Sequence, residues 1–134
     1  MGNQARAIEV LTEASEKNPR PFHALADIAD LYFERHDYDE AMKWARKSLK
    51  VNRRFLFPIA TLIAINIIRG DYEAIARLIK TVDVGRRQSL KMDVESRLKS
   101  VGQKAYKKKL DASFIAAGKQ AGSNQQQDKR PRRR

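Results

Sequence analysis

Apolar residues recur along this chain at intervals of three and four, the spacing that lines one face of an α-helix. Ala7, Leu11 and Ala14 share such a face with Val10 beside them, and Asn18-Pro19 stops the run because the residue before proline avoids helical dihedrals. The first predicted helix is 4–17. A second opens at Pro21-Phe22, where Leu25, Ile28, Ala29, Leu31, Tyr32 and Phe33 form a broad stripe ending at His36-Asp37. Asp37 is an N-cap candidate with Glu40 three residues on, the capping-box spacing, and a third helix over 38–51 turns Ala41, Trp44, Ala45, Ser48 and Leu49 inward. The fourth, 55–68, is apolar on every side and tolerates Pro58 in its first turn. A helix of that kind is buried all round or offers one side to a partner. Gly70 ends it, Asp71 caps a fifth helix, and Ala74, Ile75, Leu78, Ile79 and Val82 carry the period to Gly85. Leu90, Val94, Leu98 and Val101 mark a sixth ending near Gly102, and Tyr106, Leu110 and Phe114 a seventh over 103–117. From Gly118 on, no apolar residue is larger than alanine, which predicts a disordered tail.

The pattern repeats. Arg35-His36-Asp37-Tyr38 returns as Arg69-Gly70-Asp71-Tyr72, a lag of 34 residues that also carries Asn18 to Asn52, Ala7 to Ala41 and Ala14 to Ser48. A period of this length marks stacked helix pairs. Stacks of this kind present an extended surface to a partner.

These residues resemble the tetratricopeptide repeat family. Its pattern of apolar, small and tyrosine positions on a first helix and alanines on a second is met by Leu25, Ile28, Ala29, Tyr32, Ala41, Ala45, Ser48 and Arg53, with Asp37-Tyr38 at the turn. The next unit offers Ile59, Leu62, Ile63, Asn66, Gly70, Asp71, Tyr72, Ile75, Ile79 and Val82; it departs at Ile63, where the family has a small residue, and at Asn66, where it has an aromatic. The resemblance covers roughly residues 5–84. It implies an all-α, antiparallel helix-pair solenoid: a half repeat over 1–20 (a second helix only), a repeat over 21–54, a degenerate repeat over 55–85, capping helices over 86–117 and a basic disordered tail over 118–134. A stack that begins in mid-repeat reads as the C-terminal part of a longer array or as a helix that pairs elsewhere.

The resemblance further implies a concave groove lined by outward residues of the first helices: His23, Ala26, Asp30, Phe33 and Glu34, then Phe57, Ala60, Ala64, Ile67 and Ile68. Relatives that capture a terminal carboxylate there do so with Lys, Asn and Arg. Ala26, Asp30 and Thr61 occupy three of the required places, so a segment with an apolar face and basic character fits better. The alternative is that Phe57, Ile67 and Ile68 pack on the C-terminal helices. Trp44 and Tyr32 read as inter-helix core.

Charge changes the picture only at one end. Of the net +12, residues 86–134 hold 15 basic side chains against 4 acids and residues 1–85 hold 13 against 12. Lys107, Lys108, Lys109, Lys129, Arg130, Arg132, Arg133 and Arg134 are candidate phosphate or anion contacts, which gives an alternative function: electrostatic nucleic-acid binding through the basic C-terminal helix and tail. The same cluster would serve as a nuclear address in a eukaryote, meet anionic lipid, or simply solubilise the chain. There is no cysteine, so thiolate chemistry and disulfides are excluded. His23 and His36 lack companions at metal-ligand spacing, and no phosphate loop, nucleophile elbow or zincin motif occurs. The longest uncharged apolar run, 55–68, is shorter than the roughly 20 residues of a membrane span. The chain therefore reads as a cytoplasmic, noncatalytic interaction scaffold or adaptor without cofactors, whose partner is a protein or peptide.

Overall fold

A computed structural model of the chain describes residues 2–128. Its helices are α1 (Gly2–Lys17), α2 (Phe22–Glu34), α3 (Tyr38–Val51), α4 (Leu56–Arg69), α5 (Tyr72–Lys80), α6 (Arg87–Ser100) and α7 (Lys107–Asp128), with a 3-10 turn at Val84–Arg86 before α6. The described residues contain no strand. This is the all-α solenoid that the periodicity predicts.

The sequence lag reappears as a lag in hydrogen bonds. Asn18 Oδ1 accepts from the Arg20 amide at 2.9 Å and Asn52 Oδ1 from the Arg54 amide at 3.1 Å, so the same side-chain turn closes α1 and α3. Asp37 caps α3 by accepting from the Glu40 amide at 3.3 Å, and Asp71 caps α5 by accepting from the Ala74 amide at 3.2 Å. The capping box at α3 is half made, since the Glu40 carboxylate pairs with Lys43 at 3.8 Å. Between first and second helices the chain turns through a left-handed residue, His36 (φ 62) in one repeat and Gly70 (φ 79) in the next.

Small residues set the spacing of the stack. Ala41, Ala45 and Ser48 are fully buried where α3 meets α2, and Ser48 Oγ donates to the Phe22 carbonyl at 2.8 Å. Trp44 and Tyr32 are half-buried; Trp44 packs beside Ala29, Ala45 and Leu62, and Tyr32 against the main core, in the inter-helix roles expected of them. Every residue from Pro58 to Ile67 is buried. Helix α4 is thus enclosed by α2, α3, α5 and α6 along its length from Pro58 to Ile67, and only its ends reach the surface.

Three boundaries differ from the pattern. Helix α5 stops at Lys80 with Thr81 as its C-cap, while Val82 stays in the core at 3% exposure and a 3-10 turn follows at Val84–Arg86. Helix α7 begins at Lys107, with Tyr106 buried before it and its carbonyl accepting from the Leu110 amide at 2.9 Å. It continues to Asp128. Its bounds thus include 118–128, the first part of the stretch read as a disordered tail. Lys129, Arg130, Arg132, Arg133 and Arg134 lie outside the described residues.

Candidate functional site

The groove between the first helices is occupied. Helix α6 does not continue the repeat; it packs on α4 and reaches α2 through Arg97, burying Leu90, Val94 and Leu98 completely in the same core as Ala60 and Ala64. The gain is the burial of three aliphatic side chains at about 1.5–3 kcal/mol each. The sequence pattern predicts Phe33, Ala64 and Ile67 as the lining of an open groove. They are instead core, at 1%, 0% and 4% exposure, because the stripe of α6 covers them. Ile68 is half-buried against the same core. For Ile67 and Ile68 the packing alternative describes the structure.

A polar clasp fixes α6 in place. Arg97 directs Nη2 to Asp30 Oδ2 at 3.1 Å and Nε to Asp30 Oδ1 at 3.3 Å, a forked contact across α2 and α6. Its Nε also lies 3.0 Å from Thr61 Oγ1, and Thr61 Oγ1 is 2.8 Å from Asp30 Oδ1. The Arg97 side chain is 14% exposed, so its charge depends on Asp30 for compensation. Asp30 and Thr61, which make a carboxylate clamp untenable in the sequence, here hold a helix of the same chain. A cavity of about 210 Å³ remains beside the clasp, lined by Asp30, Phe33, Glu34, Ser96, Arg97 and Ser100.

What α6 leaves uncovered is the end of the groove where α2 and α4 begin. Phe22, His23, Phe55 and Phe57 form one connected aromatic cluster there, with ring centroids 4.6 Å apart for Phe22–His23, 4.7 Å for His23–Phe55, 5.0 Å for Phe22–Phe55 and 5.2 Å for Phe55–Phe57. His23 is exposed and Phe57 is 44% exposed. Two guanidinium groups flank the patch, Arg20 at 5.7 Å from the Phe22 ring and Arg97 at 5.7 Å from the Phe57 ring, both in cation–π range. Asp27, one turn along α2 from His23, has its pKa raised by burial and then by the charge of Asp30, against a smaller opposing pull from His23.

Of the residues expected at the groove, His23, Phe57 and Asp30 come together at this mouth. Glu34 is exposed at the far end of α2, where Gln4 Nε2 reaches it at 3.4 Å. The sequence pattern does not single out Phe22, Phe55 or Arg97 for this place. The two phenylalanines carry a signal, since both stand where a first helix opens; Arg97 carries none, because only the crossing of α6 brings it to Asp30, 67 residues away. At the basic end, Lys107, Lys108 and Lys109 are all exposed. The described residues contain no cluster of His, Cys, Asp and Glu able to hold a metal, and no helix long and apolar enough to cross a membrane.

The family model for the tetratricopeptide repeat matches residues 1–64, the span of α1 to α3 and much of α4. No curated protein and no solved structure matches the chain.

Proposed function

Since residues 1–64 form a tetratricopeptide-repeat segment, an architecture built for protein interaction, we propose that this chain is a noncatalytic scaffold that binds a protein segment at the aromatic mouth of its groove. The observation that carries this is Phe57, a large aromatic side chain left 44% exposed within a four-ring cluster. An aromatic cluster that opens to solvent at His23 and Phe57 and is flanked by arginine has the composition of an interface hot spot. The partner that fits brings an aliphatic or aromatic anchor for Phe57 and His23 and a basic side chain for Asp27.

A photo-crosslinking amino acid installed at Phe57 would capture and identify that partner. With the partner in hand, Phe57→Glu and Asp27→Lys are each expected to weaken binding by about tenfold or more, roughly 1.4 kcal/mol, with unchanged melting curves because both positions are exposed. Binding that survives both substitutions would remove this reading.

A second reading, nucleic-acid binding by the basic end, is favoured by the exposure of Lys107, Lys108 and Lys109 at the start of α7. The neighbouring aromatics are not available for base stacking: Tyr106 is 8% exposed and Phe114 packs on the core. Such binding would follow charge alone.

A further inference from the structure

Helices α5 and α7 pack against each other and leave an open trough of about 520 Å³ whose lining shares no residue with the aromatic mouth. Its lining is apolar and mostly small: Tyr72 and Ala76 from α5, Ala112 and Ala116 from α7, with Lys108 and Lys109 at one end. Tyr72 is 45% exposed, and Ser113 completes the lining. Ala112 and Ala116, four residues apart, lie on one face of α7 and admit a close backbone approach. A trough walled by two helices and floored by alanines accepts the side chains of a third helix.

The charge around it selects among occupants. The charged side chains of its lining are Lys108 and Lys109, and the first turn of α7, Lys107-Lys108-Lys109, has no acid. The nearest α7 acid, Asp111, is taken by Lys91 at 2.8 Å. Three lysines at a helix N-terminus also face the positive end of the backbone dipole, so an incoming carboxylate relieves an existing repulsion. A second copy of this chain, with net charge +12, is repelled. A nucleic acid gains phosphate contacts at the lysines but finds alanines where stacking surfaces are needed.

We propose that the α5–α7 trough docks an acidic amphipathic helix of a partner protein, its aliphatic stripe over Ala76, Ala112 and Ala116 and its carboxylates against Lys108 and Lys109. This surface is independent of the aromatic mouth. The test selects binders to the intact chain from a displayed library of helix-forming peptides and measures the affinity of the enriched sequences. They are expected to carry Asp or Glu flanking a Leu, Ile or Met stripe. Their affinity should fall by about tenfold or more with Ala112→Glu and with Lys108→Glu/Lys109→Glu, and stay unchanged with Phe57→Glu. All three altered α7 positions are exposed, so melting curves should not move. Enrichment of basic peptides, absence of enrichment, or affinity that survives Ala112→Glu overturns the proposal. So does a labelled RNA duplex that displaces the peptides and is itself lost with Ala112→Glu, which would reassign the trough to nucleic acid. Loss with Phe57→Glu alone would place the peptides at the aromatic mouth.

Discussion

At His36 and Gly70 one turn is made twice with different chemistry, which isolates the cost of a left-handed backbone. The Gly70 position is open space: a Cβ added there meets nothing within 4 Å, so any penalty for substitution is conformational and not steric. Gly70→Ala is expected to destabilise by about 1 kcal/mol. At His36 the side chain recovers part of that cost through Nδ1 lying 2.9 Å from the Tyr38 hydroxyl, an exposed contact. His36→Gly should therefore stabilise by about 0.5–1 kcal/mol, the relief of φ 62 exceeding the loss of a hydrogen bond in water. Chemical denaturation of both variants checks the pair; a His36→Gly protein less stable than the parent would show that the ring contact dominates the turn.

Helix α6 decides what the repeat stack can offer a ligand, and Arg97 ties α6 to Asp30 of α2. Truncating Arg97→Ala leaves Asp30 facing Thr61 without its cation and should cost about 2–4 kcal/mol. Arg97→Lys keeps the charge and loses the fork, so it should recover only part of that. Amide exchange in α4 and α6 is the sharper readout, because it should rise in both while the capped start of α3 stays protected. Equal loosening throughout would mean that the clasp has no special role. At this scale the sequence was legible for α1 to α5, whose apolar stripes, caps and turns are written locally. It was legible for α6 as a helix and not for α6 as a lid on the groove. Leu90, Val94 and Leu98 say that one face is buried; they do not say against what, and Phe33, Ala64 and Ile67 look alike as lining or as core until that is known.

Over the whole molecule, the charge asymmetry gives a test of what the basic end does. Deleting residues 119–134 removes Lys119, Lys129, Arg130, Arg132, Arg133 and Arg134 and leaves the start of α7, where Leu110 and Ala117 anchor it to the core. Stability should be unchanged. Binding of the intact chain to duplex DNA should be weak, indifferent to sequence and lost as salt rises through the physiological range. The deletion should lower the log–log salt slope by up to about 5, from roughly 0.9 per phosphate contact. Tight binding that persists at physiological salt and vanishes with the deletion would make nucleic acid the principal ligand.

The sequence alone determined the helices, their 34-residue repeat, the caps at Asp37 and Asp71 and the small residues at Ala41, Ala45 and Ser48. Each of these follows from interactions within one helix, one turn or one pair of neighbours. Only the tertiary structure decided that the groove is filled, that Arg97 meets Asp30, and that the exposed aromatic surface is the mouth at Phe22, His23, Phe55 and Phe57. Those depend on the direction in which α6 crosses α4. That direction is set by how the side chains of two helices interlock, a shape match between segments about a helix pair apart that no local spacing encodes.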